Sequence, residues 1–121
     1  MKEGKGLIKE YTFSGDLIFE GPYLNGLRNG KGKEYDDGNL IFEGEYLNGL
    51  RNGKGKEYDY YGKLEFEGEY LNGERNGKGK DYSNGKLIFD GEYLYNNKLR
   101  GREFINNKLV FEGEYLFNKT N

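Results

Sequence analysis

The chain repeats one short motif, and this periodicity constrains the fold more than any other feature of the sequence. The tripeptide Phe-Glu/Asp-Gly begins at positions 19, 42, 66, 89 and 111, so successive copies are 23, 24, 23 and 22 residues apart. A fixed period of this length is typical of repeat architectures, in which each unit packs only against its neighbours. The fold is therefore best predicted for the repeating unit first.

The composition indicates a thin, ordered fold rather than a disordered polar chain. Only 34 % of the 121 residues are hydrophobic, yet 12 tyrosines, 8 phenylalanines and 21 glycines recur in a fixed register. So few aliphatic side chains cannot fill a large two-layer core. A single sheet in which aromatic rings cover glycine backbone fits this composition better.

Each repeat is predicted to be a β-hairpin. Along residues 40–47, Phe42 and Tyr46 alternate with Glu43 and Glu45, which is the period-two pattern of a strand. Asp-Gly and Asn-Gly pairs within the units are strong hairpin signals, because their central positions require positive φ. We therefore predict an all-β fold, an elongated single-layer antiparallel meander of stacked hairpins with about ten strands.

The domain organisation follows from the same repeats. The whole chain, 1–121, is predicted to be a single repeat domain. Its five units are predicted at approximately 4–26, 30–49, 53–73, 77–96 and 101–118. Segments such as Asn48-Gly49-Leu50-Arg51-Asn52-Gly53 are predicted to be six-residue connections between units. Pro22 stands where other units have Glu, and because proline cannot donate to a ladder we expect a bulge or an unpaired position there.

The residues at 42–55 resemble the MORN (membrane occupation and recognition nexus) repeat, whose motif is Tyr-x-Gly-x-Trp-x-x-Gly-x-x-x-Gly-x-Gly. Phe42 takes the first aromatic position, Tyr46 takes the position of Trp, and all four glycines are present. The copies that begin at 19 and 66 match closely, and the copy at 89 keeps only Gly91 and Gly101 of its glycines. The resemblance implies an elongated, twisted antiparallel sheet. Roles proposed for the family are protein–protein contact, dimerisation and phospholipid binding.

A set of aromatic residues in one register forms the first candidate binding surface. Its members are Tyr23, Tyr46, Tyr70, Tyr93, Phe42, Phe66 and Phe89. In the structural interpretation they cover the glycines of adjacent strands and form the core, because aromatic rings supply the largest burial per residue here. In the functional interpretation they line an exposed groove that grips a peptide.

Basic residues at equivalent positions form the second candidate surface, a rim along the connections between units. Its members are Arg28, Arg51, Arg75, Lys31, Lys54 and Lys78. The rim is either a solvated loop edge or an anion site for lipid phosphates or an acidic partner. The carboxylates of Glu43, Glu45, Glu67 and Glu69 lie close in sequence and dilute its positive field.

The sequence predicts no catalytic constellation. There is no His and no Cys, and the many carboxylates each have a repeated Lys partner. The Gly-Lys-Gly steps lack the following Ser or Thr of a phosphate-binding loop, and no ligand-spaced loop predicts a metal. We therefore expect no enzyme activity, no small-molecule cofactor and no metal. The near-zero net charge of −2 predicts no nucleic-acid partner.

These observations predict a non-catalytic scaffold module that binds a protein partner or associates with itself. The alternative is a phosphoinositide-binding surface module that uses the basic rim, and a third interpretation is a purely structural array. The sequence shows no signal peptide and no apolar run long enough to span a bilayer. We therefore expect a cytoplasmic protein, with the periphery of a membrane as a possible place of action.

Overall fold

The protein is one open antiparallel sheet. The computed structural model describes residues 5–115, and this part of the chain contains strands and turns but no helix. The strands are Lys5–Tyr11 (β1), Leu17–Leu24 (β2), Leu27–Arg28 (β3), Gly30–Asp36 (β4), Asn39–Leu47 (β5), Leu50–Tyr58 (β6), Leu64–Leu71 (β7), Glu74–Ser83 (β8), Lys86–Leu94 (β9), Asn97–Ile105 (β10) and Lys108–Glu114 (β11). They lie side by side in chain order, with β3 paired to β2 beside β4. The predicted meander of stacked hairpins is confirmed.

The eleventh strand arises from Pro22. In later units one continuous strand, such as β6, fills the place of β3 and β4 together. Pro22 has no amide hydrogen to donate, and β2 pairs with β4 only at Phe19–Glu34 and Glu20–Lys33. The carbonyl of Pro22 instead accepts a hydrogen bond from the amide of Asn29 at 3.0 Å. The predicted disruption at Pro22 is therefore found. The break lies in the neighbouring strand, between β3 and β4, and β2 itself is continuous.

The connections between units are shorter than predicted. Asn48 (φ 52°) and Gly49 (φ 87°) form a two-residue hairpin turn, and β6 begins directly after it at Leu50. Positive φ at both central residues matches the primed turns that suit the twist of adjacent strands. The prediction of six-residue connections is thus wrong. Arg51 belongs to a strand, because its backbone pairs with that of Tyr46.

Aromatic rings cover one side of the sheet, which we call the aromatic face. The buried side chains there are Phe19, Phe42, Phe66, Phe89, Tyr46, Tyr70 and Tyr93. The rings contact one another edge-on; the centroid of Phe42 lies 5.8 Å from that of Tyr46 and 5.3 Å from that of Tyr70. A Cβ built on Gly55 would lie 2.5 Å from the Phe42 ring, so only glycine allows the ring to lie flat on the neighbouring strand.

Candidate functional site

Arginine side chains stack on the phenylalanine rings of the aromatic face. The guanidinium carbons of Arg28, Arg51 and Arg75 lie 4.1, 3.9 and 4.0 Å from the ring centroids of Phe19, Phe42 and Phe66. Such stacking is favourable because the ring face is electron-rich. In the fourth unit Lys98 takes this place, with its Nζ 4.6 Å from the centroid of Phe89.

Each arginine also holds a carboxylate of the preceding unit. Arg51 donates from Nε and from one terminal nitrogen to the two carboxylate oxygens of Glu34, both at 3.0 Å. The phenol of Tyr46 donates to the same carboxylate. Arg28 with Glu10, and Arg75 with Glu57, repeat the same forked geometry. This arrangement satisfies every half-buried carboxylate that it contains and commits Nε and one terminal nitrogen of each arginine to a carboxylate.

The pKa values in these clusters are set by burial and by the hydrogen bonds among arginine, tyrosine and carboxylate. Burial raises the pKa of Glu34, but hydrogen bonds from Arg51 and Tyr46 outweigh it and hold that pKa below its ordinary value. The hydrogen bond from Arg28 likewise lowers the pKa of Glu10. Burial, reinforced by the bond to Glu34, raises the pKa of Tyr46 far above its ordinary value. The carboxylates therefore stay charged and the phenols stay neutral near neutral pH.

The aromatic set follows the structural interpretation of the sequence, whereas the basic set is arranged differently from the predicted rim. The seven aromatic residues lie together, but inside, with Phe42, Phe66 and Phe89 at 0 % exposure; Tyr23 is partly buried against them. The basic residues do not form one rim. Arg28, Arg51 and Arg75 lie in strands on the aromatic face, whereas Lys31, Lys54 and Lys78 are exposed on the opposite side of the sheet.

That opposite side, which we call the charged face, carries residues of alternating sign along the stacking direction. Cα pairing places Glu43 opposite Lys56 on one side and opposite Lys33 on the other. The first charge row is Lys9, Glu20, Lys33, Glu43, Lys56, Glu67, Lys80, Asp90, Arg102 and Glu112. Since neighbouring strands are about 4.8 Å apart, the sign changes at that interval.

A second charge row runs parallel to the first. It consists of Lys31, Glu45, Lys54, Glu69, Lys78, Glu92, Arg100 and Glu114. Glycines such as Gly44 and Gly55, which pair with each other, separate the two rows. The result is a groove of about 1400 Å³ with glycine backbone between two rows of charges.

The lysines of this groove are not bound to the neighbouring carboxylates. In residues 5–115, no lysine of either row lies within 4.0 Å of a carboxylate oxygen, and the ion pairs of this face involve only Arg100 and Arg102. The carboxylates are instead held by other groups. Tyr58 donates to Glu43 at 2.5 Å, and the backbone amide of Lys78 donates to Glu69 at 2.9 Å.

Leucines border the second charge row at the turns between units. Alternation along the strand puts Leu47 on the same side as Glu45, and Leu47 pairs with Leu50 across the turn. Both are about half exposed. The leucine stripe consists of Leu27, Leu47, Leu50, Leu71 and Leu94.

Sequence reasoning missed a set of tyrosines on the charged face and a set of carboxylates on the aromatic face. Tyr35, Tyr58 and Tyr82 donate to Glu20, Glu43 and Glu67 along the charged face. Glu34, Glu57 and Asp81 accept from the tyrosines of the aromatic face. Both sets recur at the repeat period, and this recurrence was a signal for them. The tyrosine and the carboxylate of each hydrogen bond are 12 to 15 residues apart, so the local pattern does not pair them.

Residues 5–115 hold neither a metal-ligand cluster nor a membrane-spanning helix. Among the described residues, no three His, Cys, Asp or Glu side chains are grouped as metal ligands. The same residues include no helix long and apolar enough to cross a membrane.

The geometry defines a class of protein, an open single-sheet array of β-hairpin repeats sealed on one face and charged on the other. Three segments of the chain, 19–40, 42–60 and 66–80, match the model of the MORN repeat. The chain therefore contains MORN repeats in these three segments, as its motif predicted. A comparison with curated proteins finds no match to the chain. MORN repeats are generally non-catalytic modules associated with protein or lipid binding.

Proposed function

We propose that this protein is a non-catalytic module that binds an extended segment of a partner protein along its charged face. The observation that carries the proposal is the pair of alternating charge rows, whose lysines are not engaged by neighbouring carboxylates in residues 5–115. A partner with alternating charges would pair with these groups in one register. Charge complementarity of this kind gives specificity and register more than raw affinity.

The dimensions of the groove suit a peptide better than a small molecule. Its lining comes from eight neighbouring strands, from β1 to β9 without the short β3. At about 4.8 Å between strands, it is about 34 Å long. An extended chain of about ten residues, at about 3.3 Å per residue, covers that length.

The leucine stripe adds apolar contact area beside the charges. Leu47 and Leu50 are 50 % and 49 % exposed, and they lie next to Glu45 and Lys54 of the second row. Protein interfaces commonly combine an apolar patch with a polar surround. A partner segment with apolar residues on one side and charges on the other would use both features.

The same charge pattern argues against the phospholipid alternative. A polybasic lipid site normally clusters four to eight basic residues without compensating acids. Here the lysines in the interior of the charged face stand between carboxylates, as Lys56 does between Glu43 and Glu67. Lys9 and Lys31 each face one carboxylate, Glu20 and Glu45. On the aromatic face, Arg28, Arg51 and Arg75 already hold carboxylates in forked pairs.

The non-catalytic part of the proposal rests on residue chemistry. The chain has no His and no Cys, and the half-buried Glu34 and Glu57 are held charged by arginine and tyrosine donors. A general acid or base needs a pKa near the working pH. The pKa values of Glu34 and Glu57 are lowered, which moves both groups further from a neutral working pH.

The test is selection of binding peptides from a random displayed library, followed by calorimetric titration of the best peptide. We expect binding to weaken by at least about tenfold in the double variant Lys54→Glu/Lys56→Glu. The matched control is Lys86→Glu, an exposed lysine outside the groove, which should bind as the parent does. Circular dichroism checks that each variant is folded.

Two results would overturn the proposal. In the first, the selected peptides bind Lys54→Glu/Lys56→Glu and Lys86→Glu equally well. In the second, no peptide is selected, but the protein sediments with phosphatidylcholine vesicles only when they contain phosphatidylinositol phosphates. The lipid alternative would then replace the peptide-binding function.

A further inference from the structure

The last phenylalanine of the aromatic face is left partly open. Phe111 is 40 % exposed, whereas the four earlier members of its register, Phe19, Phe42, Phe66 and Phe89, are all at 0 %. It lies in β11, which pairs with β10 on one side and is an edge strand of the sheet on the other. The difference therefore coincides with the end of the described array.

The earlier phenylalanines show what a complete enclosure contains. Phe42 is covered by Arg51 at 3.9 Å and meets Gly55, where a Cβ would lie 2.5 Å away; both belong to the next strand, β6. Tyr70 of the strand after that completes the enclosure at 5.3 Å. Glu57 of β6 pairs with Phe42 across the ladder.

The covering strand has the same order of residues each time. A basic residue comes first, and two or three residues separate it from a glycine. An acidic residue stands two positions after that glycine. The four examples are Arg28-Gly32-Glu34, Arg51-Gly55-Glu57, Arg75-Gly79-Asp81 and Lys98-Gly101-Glu103.

Among residues 5–115, no strand covers Phe111 in this way. Its described ring neighbour is Tyr115, in a tilted pair at 5.3 Å. Gly113 lies beside it, and a Cβ built there would meet only the Phe111 ring, 3.3 Å away at the nearest. By contrast, a Cβ on Gly91 would meet the backbone of Gly101 in the next strand. The outer edge of β11 thus presents the Phe111 ring, Gly113 and backbone groups that no described strand pairs with. Their spacing matches that of the sites that a covering strand occupies in earlier units.

We propose that the free edge of β11 binds an extended segment of a partner protein as an added antiparallel strand. The segment carries the covering order: a basic residue, two or three positions, glycine, any residue, then an acid. Backbone hydrogen bonds to β11 supply affinity, and the glycine and the basic residue supply specificity. This site lies on the edge of the sheet and does not depend on peptide binding in the groove of the charged face.

A second copy of this chain does not offer such a strand at its own free edge. The other edge of the sheet is β1, and β1 has Ile8 in the place of the covering glycine. Ile8 pairs with Gly21 as Gly55 pairs with Gly68. A branched side chain cannot enter the space in which a Cβ already lies within 3 Å of a ring. Ile8 therefore opposes head-to-tail stacking. The β11 strand of a second copy also lacks the covering order, because Tyr115 rather than an acid stands two positions after Gly113. The occupant that fits is therefore a different polypeptide.

The test uses a fluorescently labelled synthetic peptide with the sequence of Leu50–Tyr58 as the probe, titrated with the full-length protein and followed by fluorescence anisotropy. We expect saturable binding. The peptide with Gly55→Val should bind at least about tenfold more weakly, and the peptide with Arg51→Ala should also lose affinity. Because these changes are in the peptide, they cannot alter folding of the protein.

Two protein variants locate the site. Phe111→Ala should weaken binding of the native peptide, whereas Leu7→Ala, at the exposed opposite edge, should leave binding unchanged. Equal affinity for the native and Gly55→Val peptides would overturn the proposal, as would loss of binding in Leu7→Ala alone. A dimer by light scattering that Phe111→Ala dissociates and the peptide does not displace would assign the edge to a second copy instead.

Discussion

The guanidinium carbon of Arg51 lies 3.9 Å from the centroid of the Phe42 ring. The same side chain holds both carboxylate oxygens of Glu34 at 3.0 Å. One arginine thus seals a buried ring and neutralises a half-buried acid. A sheet one layer thick has no second layer to cover its core, and this stacked pair takes over that role.

Arg51→Ala should destabilise the protein by about 2–3 kcal/mol, because it removes the ring contact and leaves Glu34 without its charge partner. Arg51→Lys should recover only part of this loss, since an ammonium cannot form the forked pair. The measurement is urea denaturation. Arg102→Ala, which removes an exposed ion pair, serves as the control and should change stability by no more than about 1 kcal/mol. Equal effects of Arg51→Ala and Arg102→Ala would contradict the stacking argument.

Gly55→Ala should destabilise the protein by about 1–3 kcal/mol, because a Cβ at Gly55 would lie 2.5 Å from the Phe42 ring. Gly6→Ala is the matched control. A Cβ on Gly6 meets nothing within 4 Å, so stability should stay within about 0.5 kcal/mol of the parent. Thermal unfolding followed by circular dichroism compares the two. If both variants melt with the parent, close contact between glycine and ring does not limit the packing.

The architecture could be predicted from sequence because its signals are local. The alternation around Phe42 and Tyr46, repeated at a fixed period, predicts strands of one register, and Asp-Gly or Asn-Gly pairs predict the turns between them. These features need no knowledge of distant residues. The single proline, Pro22, likewise predicted a local fault in pairing.

The place of Arg51 could not be predicted, because two equivalent turn signals lie on either side of it. Asn48-Gly49 forms the turn, whereas Gly53 (φ 103°) lies inside β6 at an irregularity in the ladder. Local propensity does not distinguish the two pairs. The choice is made by long-range contacts of Arg51 with Phe42 and Glu34, and these contacts turn a predicted loop rim into part of the closed aromatic face.

Acid should unfold the protein through the carboxylates of the aromatic face. Burial raises the pKa of Glu57, but hydrogen bonds from Arg75 and Tyr70 hold it below the ordinary value of 4.5. A lowered folded-state pKa contributes stability that is fully present above 4.5 and is lost as the pH falls through the folded value. We expect a constant midpoint of urea unfolding from neutral pH down to about pH 5 and a steep fall below it.

The variant Glu57→Gln tests the origin of that acid dependence. It should be less stable than the parent at neutral pH and should lose less further stability on acidification. An acid dependence as steep as that of the parent would mean that other carboxylates cause it.

Alkali should act on the charged face through Tyr58 and Tyr82. Burial and a hydrogen bond to Glu43 raise the pKa of Tyr58 to about 12 from an ordinary 10.0, and Tyr82 behaves alike with Glu67. Raised folded-state values mean that their contribution is full below pH 10 and is lost as the pH rises towards 12. Phenolate absorbance of the parent minus that of Tyr58→Phe should report the delayed ionisation. A difference spectrum that titrates at the ordinary value would contradict it.

Pro22→Glu should join β3 and β4 into one strand. The substitution restores an amide donor and places a carboxylate where Glu45 and Glu69 stand in later units. Two effects on global stability oppose each other, since a new hydrogen bond contributes about 0.5–1.5 kcal/mol and loss of proline costs about 0.4–1 kcal/mol through the unfolded chain. The melting temperature is therefore a poor readout, and amide exchange of residues 29–32 is the better one. We expect exchange there to slow to the rate of the equivalent amides in β6, with those of β6 unchanged as the internal control. Unchanged exchange at 29–32 would mean that the missing donor of Pro22 does not cause the break.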